Sequence, residues 1–518
     1  MTQKIEDKYL YIPIIILSFY FIYEIIQYYQ IINLYPIRVA GDLNTYILKL
    51  HQLTNYGFHK LVPYTYNGII NFNAYPPGWA FFTLPFFYIT KDVLSANFIS
   101  LISIYILSFI AIYILCKKER ISKIKAIAFF LFLFANPFML DSILHVGRSS
   151  EAFGWMVFLW FFVLINHYKD KELDLKFIIL FTIMYTILVL SHIYILIIGS
   201  IILFSFLLTK LNKNIINKET IKIGIATVLG LILSSFWWIP FSEAISIRKQ
   251  QWSIEVETIS NLKGSFLSYS TISIIIFLSI IIFYIIYNRK DKNLVFIYPL
   301  IALALIILTR LIIYIPVLKE LPFNTYTTFF IFLSLFYLFK IDFSILKRSH
   351  KKIIYALLIL LPFIFGIILF GKYYDFTMEY RPPIFRDNQE LQGISAYEQT
   401  DTDKDVFSII PKVGDNFIIL SNASNRKVSN TYSVYSVVKY DKKPISGTSP
   451  WDAIDQTVID KMEEIYTSFD KGDCNAIINI SKDLKLKQIL SFDNGCELLK
   501  ECNLKLETEN KRACILNL

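Results

Sequence analysis

Apolar and polar positions fall into long blocks along this chain, and the apolar blocks come close to the length that carries a helix across hydrocarbon. Eleven stretches stand out: Leu10 to Ile32, Val93 to Leu115, Ala126 to Leu140, Ala152 to Ile165, Phe177 to Leu190, Ile193 to Leu208, Ile223 to Ile239, Ser270 to Tyr287, Leu294 to Leu308, Thr327 to Phe339 and Ile353 to Phe370. The first is too long for a cleaved signal, carries Glu24 and has no small-residue cleavage site behind it, so it reads as a retained span. Between the first two stretches lies a long loop, 33–92, in which Tyr46, Ile47, Leu50 and Leu53 recur at helical spacing. Lys49, His51 and Gln52 fall on other faces of the same segment, which predicts an amphipathic helix lying at the membrane interface.

After Gly371 the blocks give way to mixed polar and apolar sequence, enough for one domain with its own core. There Phe407 to Pro411, Asn416 to Ser421, Thr431 to Lys439 and Lys485 to Ser491 read as strands and Pro450 to Ser468 as a helix. The fold class expected is mainly α: a polytopic membrane domain of about 11 spans over residues 1–371, followed at 372–518 by a small α+β or α/β domain.

Composition agrees, with 55% hydrophobic, 17% aromatic and only 18% charged residues in 518. The formal charge of +10 divides into +14 before residue 372 and −4 after it, so the basic excess belongs to the loops between spans and not to a nucleic-acid footprint. With the amino terminus inside, the short loops 117–125, 169–176, 210–222, 289–292 and 340–352 collect most of the Lys and Arg that precede residue 372, as the retention of basic residues on the cytoplasmic side requires. Eleven spans then put the carboxyl-terminal domain outside a cell membrane. Four of the five cysteines, Cys474, Cys496, Cys502 and Cys514, fall in that domain, which suggests two disulfides of unread pairing; reduced, buried thiols are the alternative. Sequons at Asn422 and Asn479 also fall there, and such triplets arise often by chance.

Phosphate-binding glycine loops, zincin motifs and nucleophile elbows are missing from the sequence, which sets nucleotide-driven chemistry aside. Candidate chemistry gathers in the loops assigned to the outer side. Asp42 lies just beyond the first span, either as a carboxylate held toward substrate or as the cap of the following helix, and the two roles are compatible. In N-A-Y-P-P-G-W, two prolines fix a turn whose aromatics, Tyr75 and Trp79, sit at headgroup level; membrane anchoring is the simpler role for Trp79. The third span ends in D-S-I-L-H-V-G-R-S-S-E, where His145 and Arg148 are three apart, as on one helical face. Arg148 suits bidentate phosphate binding, against the alternative of a salt bridge to Glu151 or Glu24. His192, Arg248, Lys249 and Arg310 fall on the same side, an arrangement that favours an outward-facing polar site.

These residues lie in motifs that resemble the GT-C superfamily of membrane glycosyltransferases. The match is nearest to the microbial group labelled 6-pyruvoyl-tetrahydropterin-synthase-related membrane proteins. The matching segments are G-D-L-N-T-Y, Y-P-P-G-W, H-V-G-R-S-S-E, S-H, F-W-W-I-P and I-P-V-L-K-E-L-P-F, with I-S-G-T-S-P-W and D-L-K-L-K-Q-I-L-S-F in the tail. The resemblance implies transfer of a sugar from a polyprenyl-phosphate donor to a lipid, glycan or protein hydroxyl on the extracytoplasmic face. Asp42 would be the general base, and the sugar would be delivered with inversion. His51, Tyr75, His145, Arg148, Glu151, His192, Arg248, Lys249 and Arg310 would bind sugar or phosphate. Many relatives carry an acidic pair where Asp42 is followed by Leu43 and Asn44, so a single base without a required cofactor is implied over a bound divalent metal. A flippase of lipid-linked glycans and a non-catalytic assembly protein are the competing readings; the absence of an internal repeat counts against transport.

Overall fold

A computed structural model describes residues 10–30, 32, 35, 41–211, 217–247, 278–282, 284–285, 294–308, 323–340, 399–422, 426–447 and 453–518. The expected span Ile353 to Phe370 and the boundary at Gly371 lie outside these residues, as does most of Ser270 to Tyr287.

Helices α1 (Tyr11–Tyr29), α2 (Gly41–Asn55), α3 (Gly78–Thr90), α4 (Val93–Lys118) and α5 (Lys123–Phe134) are followed by α6 (Ser149–Tyr168), α7 (Leu175–Ser191) and α8 (Ile193–Lys210). Then come α9 (Lys218–Leu233), α10 (Ser235–Ile247), α11 (Leu294–Leu308) and α12 (Phe323–Lys340). Short polar side chains start several of them: Asp92, Ser122, Asp174 and Asn217 each accept backbone N–H bonds from the first turn behind them. Among the described residues four helices are long and apolar enough to cross a membrane, and five if α9 and the first part of α10, bent by 70°, count as one broken span.

Near the end of the long loop 33–92, residues 78–90 form the apolar helix α3, which packs along α4 and touches α2 and α6. One expectation for this region fails: the third span does not run on to Leu140. Asn136 donates to the carbonyls of Phe132 and Leu133 and accepts from the Met139 amide, replacing the helical ladder and ending α5 at Phe134. A single turn and a π-helical segment, Asp141–His145, then carry the chain to α6.

The bundle has two chemically different ends. At one, Glu119 beside the end of α4 is bonded to Lys169 at 2.9 Å and to Lys340 at 2.7 Å, all three side chains less than a tenth exposed. Burial pushes the Glu119 carboxyl up, but Lys340 and Lys169 outweigh it and hold the group down at about 2. Three of the expected basic loops are thereby tied together at one end. At the other end, the Asn97 amide donates to Tyr28 of α1 at 2.9 Å while Ser149 of α6 donates to the Asn97 carbonyl oxygen at 3.0 Å.

The carboxyl-terminal region holds a four-stranded sheet, in the order β1 (Phe417–Leu420), β2 (Gln488–Phe492), β4 (Ala513–Asn517), β3 (Lys505–Glu509). The first pair is parallel and the others antiparallel. Around it lie α13 (Asp401–Ile409), α14 (Arg426–Tyr440), α15 (Gln456–Lys471), α16 (Cys474–Asp483) and α17 (Asn494–Glu501). The architecture is mainly α with one small mixed sheet near the carboxyl end. Phe407 to Pro411 and Thr431 to Lys439 are helical and not extended. Thr400 and Asp403 form a capping box that starts α13, and α14 buries Ser429, Tyr432, Ser433 and Ser436 at helical spacing despite its β-branched content. Disulfides join Cys474 to Cys502 and Cys496 to Cys514.

This region packs against the first loop. The Asn44 amide donates to Thr431 of α14 at 3.0 Å, the Tyr66 hydroxyl to the Gly447 carbonyl at 2.7 Å, and the Ile454 amide to the Gly68 carbonyl at 3.1 Å. Helix α2 is therefore enclosed, not interfacial: Asn44, Lys49 and Gln52 on its polar face are almost wholly buried, as are Leu43, Ile47 and Leu50.

Candidate functional site

Asp42 sits one residue inside α2, in its first turn, where the free amide end of the helix favours a carboxylate. It is not the cap. From the opposite direction the chain leaves the π-helical segment, turns at Gly147 and caps α6 with Arg148. Gly147 has φ +74°, and a Cβ there would lie 2.3 Å from the Cβ of Leu43, so only glycine lets this turn press against the first turn of α2. The result is a guanidinium delivered to Asp42: Arg148 Nε donates to Asp42 Oδ2 at 3.2 Å. Its Nη1 meets Glu151 Oε2 at 3.4 Å and Ser142 Oγ at 3.5 Å, and Ser142 itself donates to Glu151 at 3.4 Å. Among the described residues no acceptor meets Nη2. Asp42 is half exposed at 50%, whereas Glu151 is 3% exposed. Burial alone would lower the Arg148 pKa, but Glu151 and then Asp42 overcome it and keep the group charged.

Beneath this pair lies a hydroxyl network. Tyr46, one turn along α2 from Asp42, shares a 2.7 Å hydrogen bond with Tyr75, whose phenol also reaches Ser150. Ser150 donates to the Ser191 carbonyl at 3.0 Å, and the Trp237 indole of α10 donates to the Tyr75 carbonyl at 2.9 Å. Burial raises both phenol pKa values, so the two hydroxyls stay protonated. His192 caps α8 by accepting from the Tyr194 amide through Nδ1 at 3.3 Å, with its ring 6.0 Å from that of Tyr75. Burial and then Arg148 press its pKa down to about 3, leaving a neutral imidazole.

Of the residues expected to form the site, Asp42, Arg148, Glu151, Tyr75 and His192 come together. Glu151 and His192, both buried, support the site from behind instead of meeting solvent. His51 stands apart. It is nine residues farther along α2, bonded to Asn55 at 2.9 Å, and its nearest charge influence is Asp441 of the carboxyl-terminal region. Nor do His145 and Arg148 share a helical face, because the left-handed turn at Gly147 separates the two segments. The side chain of His145 lies outside the described residues, as do Arg248, Lys249 and Arg310. Trp79 is no headgroup anchor: it is 2% exposed and packs 5.3 Å from Tyr46. The structure adds Tyr46, Ser142, Ser150 and Trp237 to the site. Tyr46 belongs to the apolar stripe of α2, and its i, i+4 relation to Asp42 places it under the carboxylate.

Asp42 and Glu151 both hold Arg148, Asn44 is turned into the contact with Thr431, and no three His, Cys, Asp or Glu side chains gather among the described residues.

An apolar helical bundle carrying a partly exposed ion-pair site at one end defines a polytopic membrane protein. The chain belongs to the family of membrane proteins described as 6-pyruvoyl-tetrahydropterin synthase related, whose profile matches residues 74–378. No curated protein matches it. Among solved structures, it is similar to the oligosaccharyltransferase AglB of Archaeoglobus fulgidus in complex with an inhibitory peptide and a dolichol-phosphate, at 12% identity and TM-score 0.47, over 92% of this chain and 69% of that one. An oligosaccharyltransferase of Archaeoglobus fulgidus in complex with Zn and sulfate gives 14% identity, TM-score 0.45 and coverage of 91% and 68%. Tethered to an acceptor peptide containing the NVT sequon, it gives 15%, 0.44, 92% and 69%.

Proposed function

We propose that this protein is a GT-C-type membrane glycosyltransferase that moves a sugar from a polyprenyl-phosphate donor to an acceptor hydroxyl on the extracytoplasmic face. The observation that carries this reading is the half-exposed Asp42 carboxylate held 3.2 Å from a guanidinium whose Nη2 meets no acceptor among the described residues, at one end of a membrane bundle. Asp42 takes the proton of the acceptor hydroxyl, a role worth about 10²–10⁴-fold in rate. The acceptor oxygen attacks the anomeric carbon while the bond to the phosphate oxygen breaks, so the sugar is transferred with inversion. The leaving polyprenyl phosphate carries away the electron pair, and Arg148 faces the charge that develops on it. Tyr46 and Tyr75 present neutral hydroxyls to the same site. The mechanism needs one base and no resident metal, in keeping with Asp42 being followed by Leu43 and Asn44 where many relatives carry an acidic pair. In this reading domain 372–518 lies on the acceptor side of the membrane.

Mass spectrometry of glycolipids and surface glycoproteins tests the proposal in cells carrying the wild type, Asp42→Asn or a deletion. The variant, correctly inserted, is expected to lose the same sugar mass as the deletion. A wild-type glycan profile in the variant beside a changed one in the deletion would remove Asp42 as base and turn the reading to lipid-linked glycan transport.

A further inference from the structure

The partners of Arg148 are unequal. Glu151 and Ser142 grip Nη1 from the buried side, and the Gly147 turn, locked against Leu43, keeps the guanidinium from moving away. Asp42 binds only Nε, through one oxygen and from a half-exposed position. A guanidinium offers a planar oxyanion two paired edges, Nε with Nη2 and Nη1 with Nη2. In this structure each edge is half taken by a carboxylate, and Nη2 is common to both. An anion that binds in bidentate fashion must therefore displace one carboxylate, and the exposed one is held far more weakly than the buried one.

We propose that Arg148 is shared in turn between Asp42 and the donor phosphate. The phosphate takes the Nε/Nη2 edge and releases Asp42, so the base becomes free only in the donor complex. This deepens the glycosyl-transfer reading and rests on it. In the released state Asp42 accepts the hydroxyl proton, the acceptor oxygen bonds to the anomeric carbon, and the phosphate leaves with the electrons of the broken bond onto Arg148. Before donor binding the carboxylate is engaged, which guards against premature proton transfer. Glu151 and Ser142 act as positioning residues that keep Arg148 in place through the exchange.

The test measures binding of a short-chain polyprenyl phosphate to the full-length protein in nanodiscs, with sugar transfer assayed alongside. It compares wild type, Asp42→Asn, Arg148→Gln and the double variant, with Asp42→Ser as a second replacement should Asp42→Asn insert poorly. If Asp42 competes for Arg148, Asp42→Asn binds the lipid phosphate up to about fivefold more tightly than wild type, the scale of an exposed ion pair, and loses that gain in the Arg148→Gln background. Unchanged or weaker binding by Asp42→Asn overturns the exchange, as does an equal gain without Arg148, which would be plain charge repulsion. The two proposals fail separately. Transfer abolished in Asp42→Asn at unchanged affinity sinks the exchange and keeps the glycosyltransferase. An Arg148-dependent gain in a protein that transfers no sugar keeps the exchange and sinks the enzyme. No binding by wild type sinks both.

Discussion

His192 joins two helices and neighbours Tyr75, yet its environment holds it neutral, which makes it a marker for how the site responds to acid. Its folded pKa of about 3 lies below the 6.5 of an ordinary imidazole. The unfolded chain therefore takes up a proton between these values and the folded one does not. The stability linked to His192 is complete above pH 6.5 and declines as the pH falls toward 3. His192→Asn keeps a good helix cap and removes the titration. Its melting temperature is expected to fall less steeply than that of the wild type from pH 6.5 toward pH 4; parallel curves would show that burial does not hold the ring neutral. At this scale the sequence exposed Asp42 and Arg148 by residue type and location, because a carboxylate and a guanidinium beside apolar spans are costly to keep without a partner or a use. It did not expose Tyr46 or Ser142, whose importance comes only from what they touch.

Between residue and fold, the turn 146–148 decides whether Arg148 reaches Asp42. Gly147→Ala places a methyl 2.3 Å from Leu43 at a φ of +74°. Overpacking of this kind costs about 1–3 kcal/mol, and the left-handed backbone adds strain. The expected outcome is a lower melting temperature and loss of sugar transfer out of proportion to it, since relief requires the turn to back away from α2. Transfer that falls only in step with the folded fraction would mean that the turn is structural and does not aim Arg148. Periodicity located most membrane helices within a few residues, because burial in lipid leaves a continuous apolar run. It failed at the Asn136 break, where one side chain replaces the ladder, and in α14, where β-branched residues suit a strand but their burial follows a helix.

For the whole molecule, the decisive feature is that the carboxyl-terminal region is fastened to α2, the helix that bears Asp42. Thr431→Val removes the acceptor of a fully buried Asn44 amide, and leaving that group unsatisfied costs about 1–3 kcal/mol. Sugar transfer is expected to fall in Thr431→Val although Thr431 touches neither Asp42 nor Arg148, and the paired change Asn44→Leu with Thr431→Val is expected to recover part of it. An active chain lacking the carboxyl-terminal region would show that α2 holds its place without that support. The sequence alone determined the membrane class, the change of character toward the carboxyl end, the presence of cysteines enough for two bridges and the acidic and basic candidates. All of these follow from composition and local spacing. Only the tertiary structure decided that α2 is enclosed, that Cys474 pairs with Cys502 and Cys496 with Cys514, that His51 stands apart, and that Asp42 and Glu151 divide one guanidinium between them. Those are contacts between segments far apart in the chain, made when apolar surfaces and buried hydrogen bonds are satisfied together, and no local pattern encodes them.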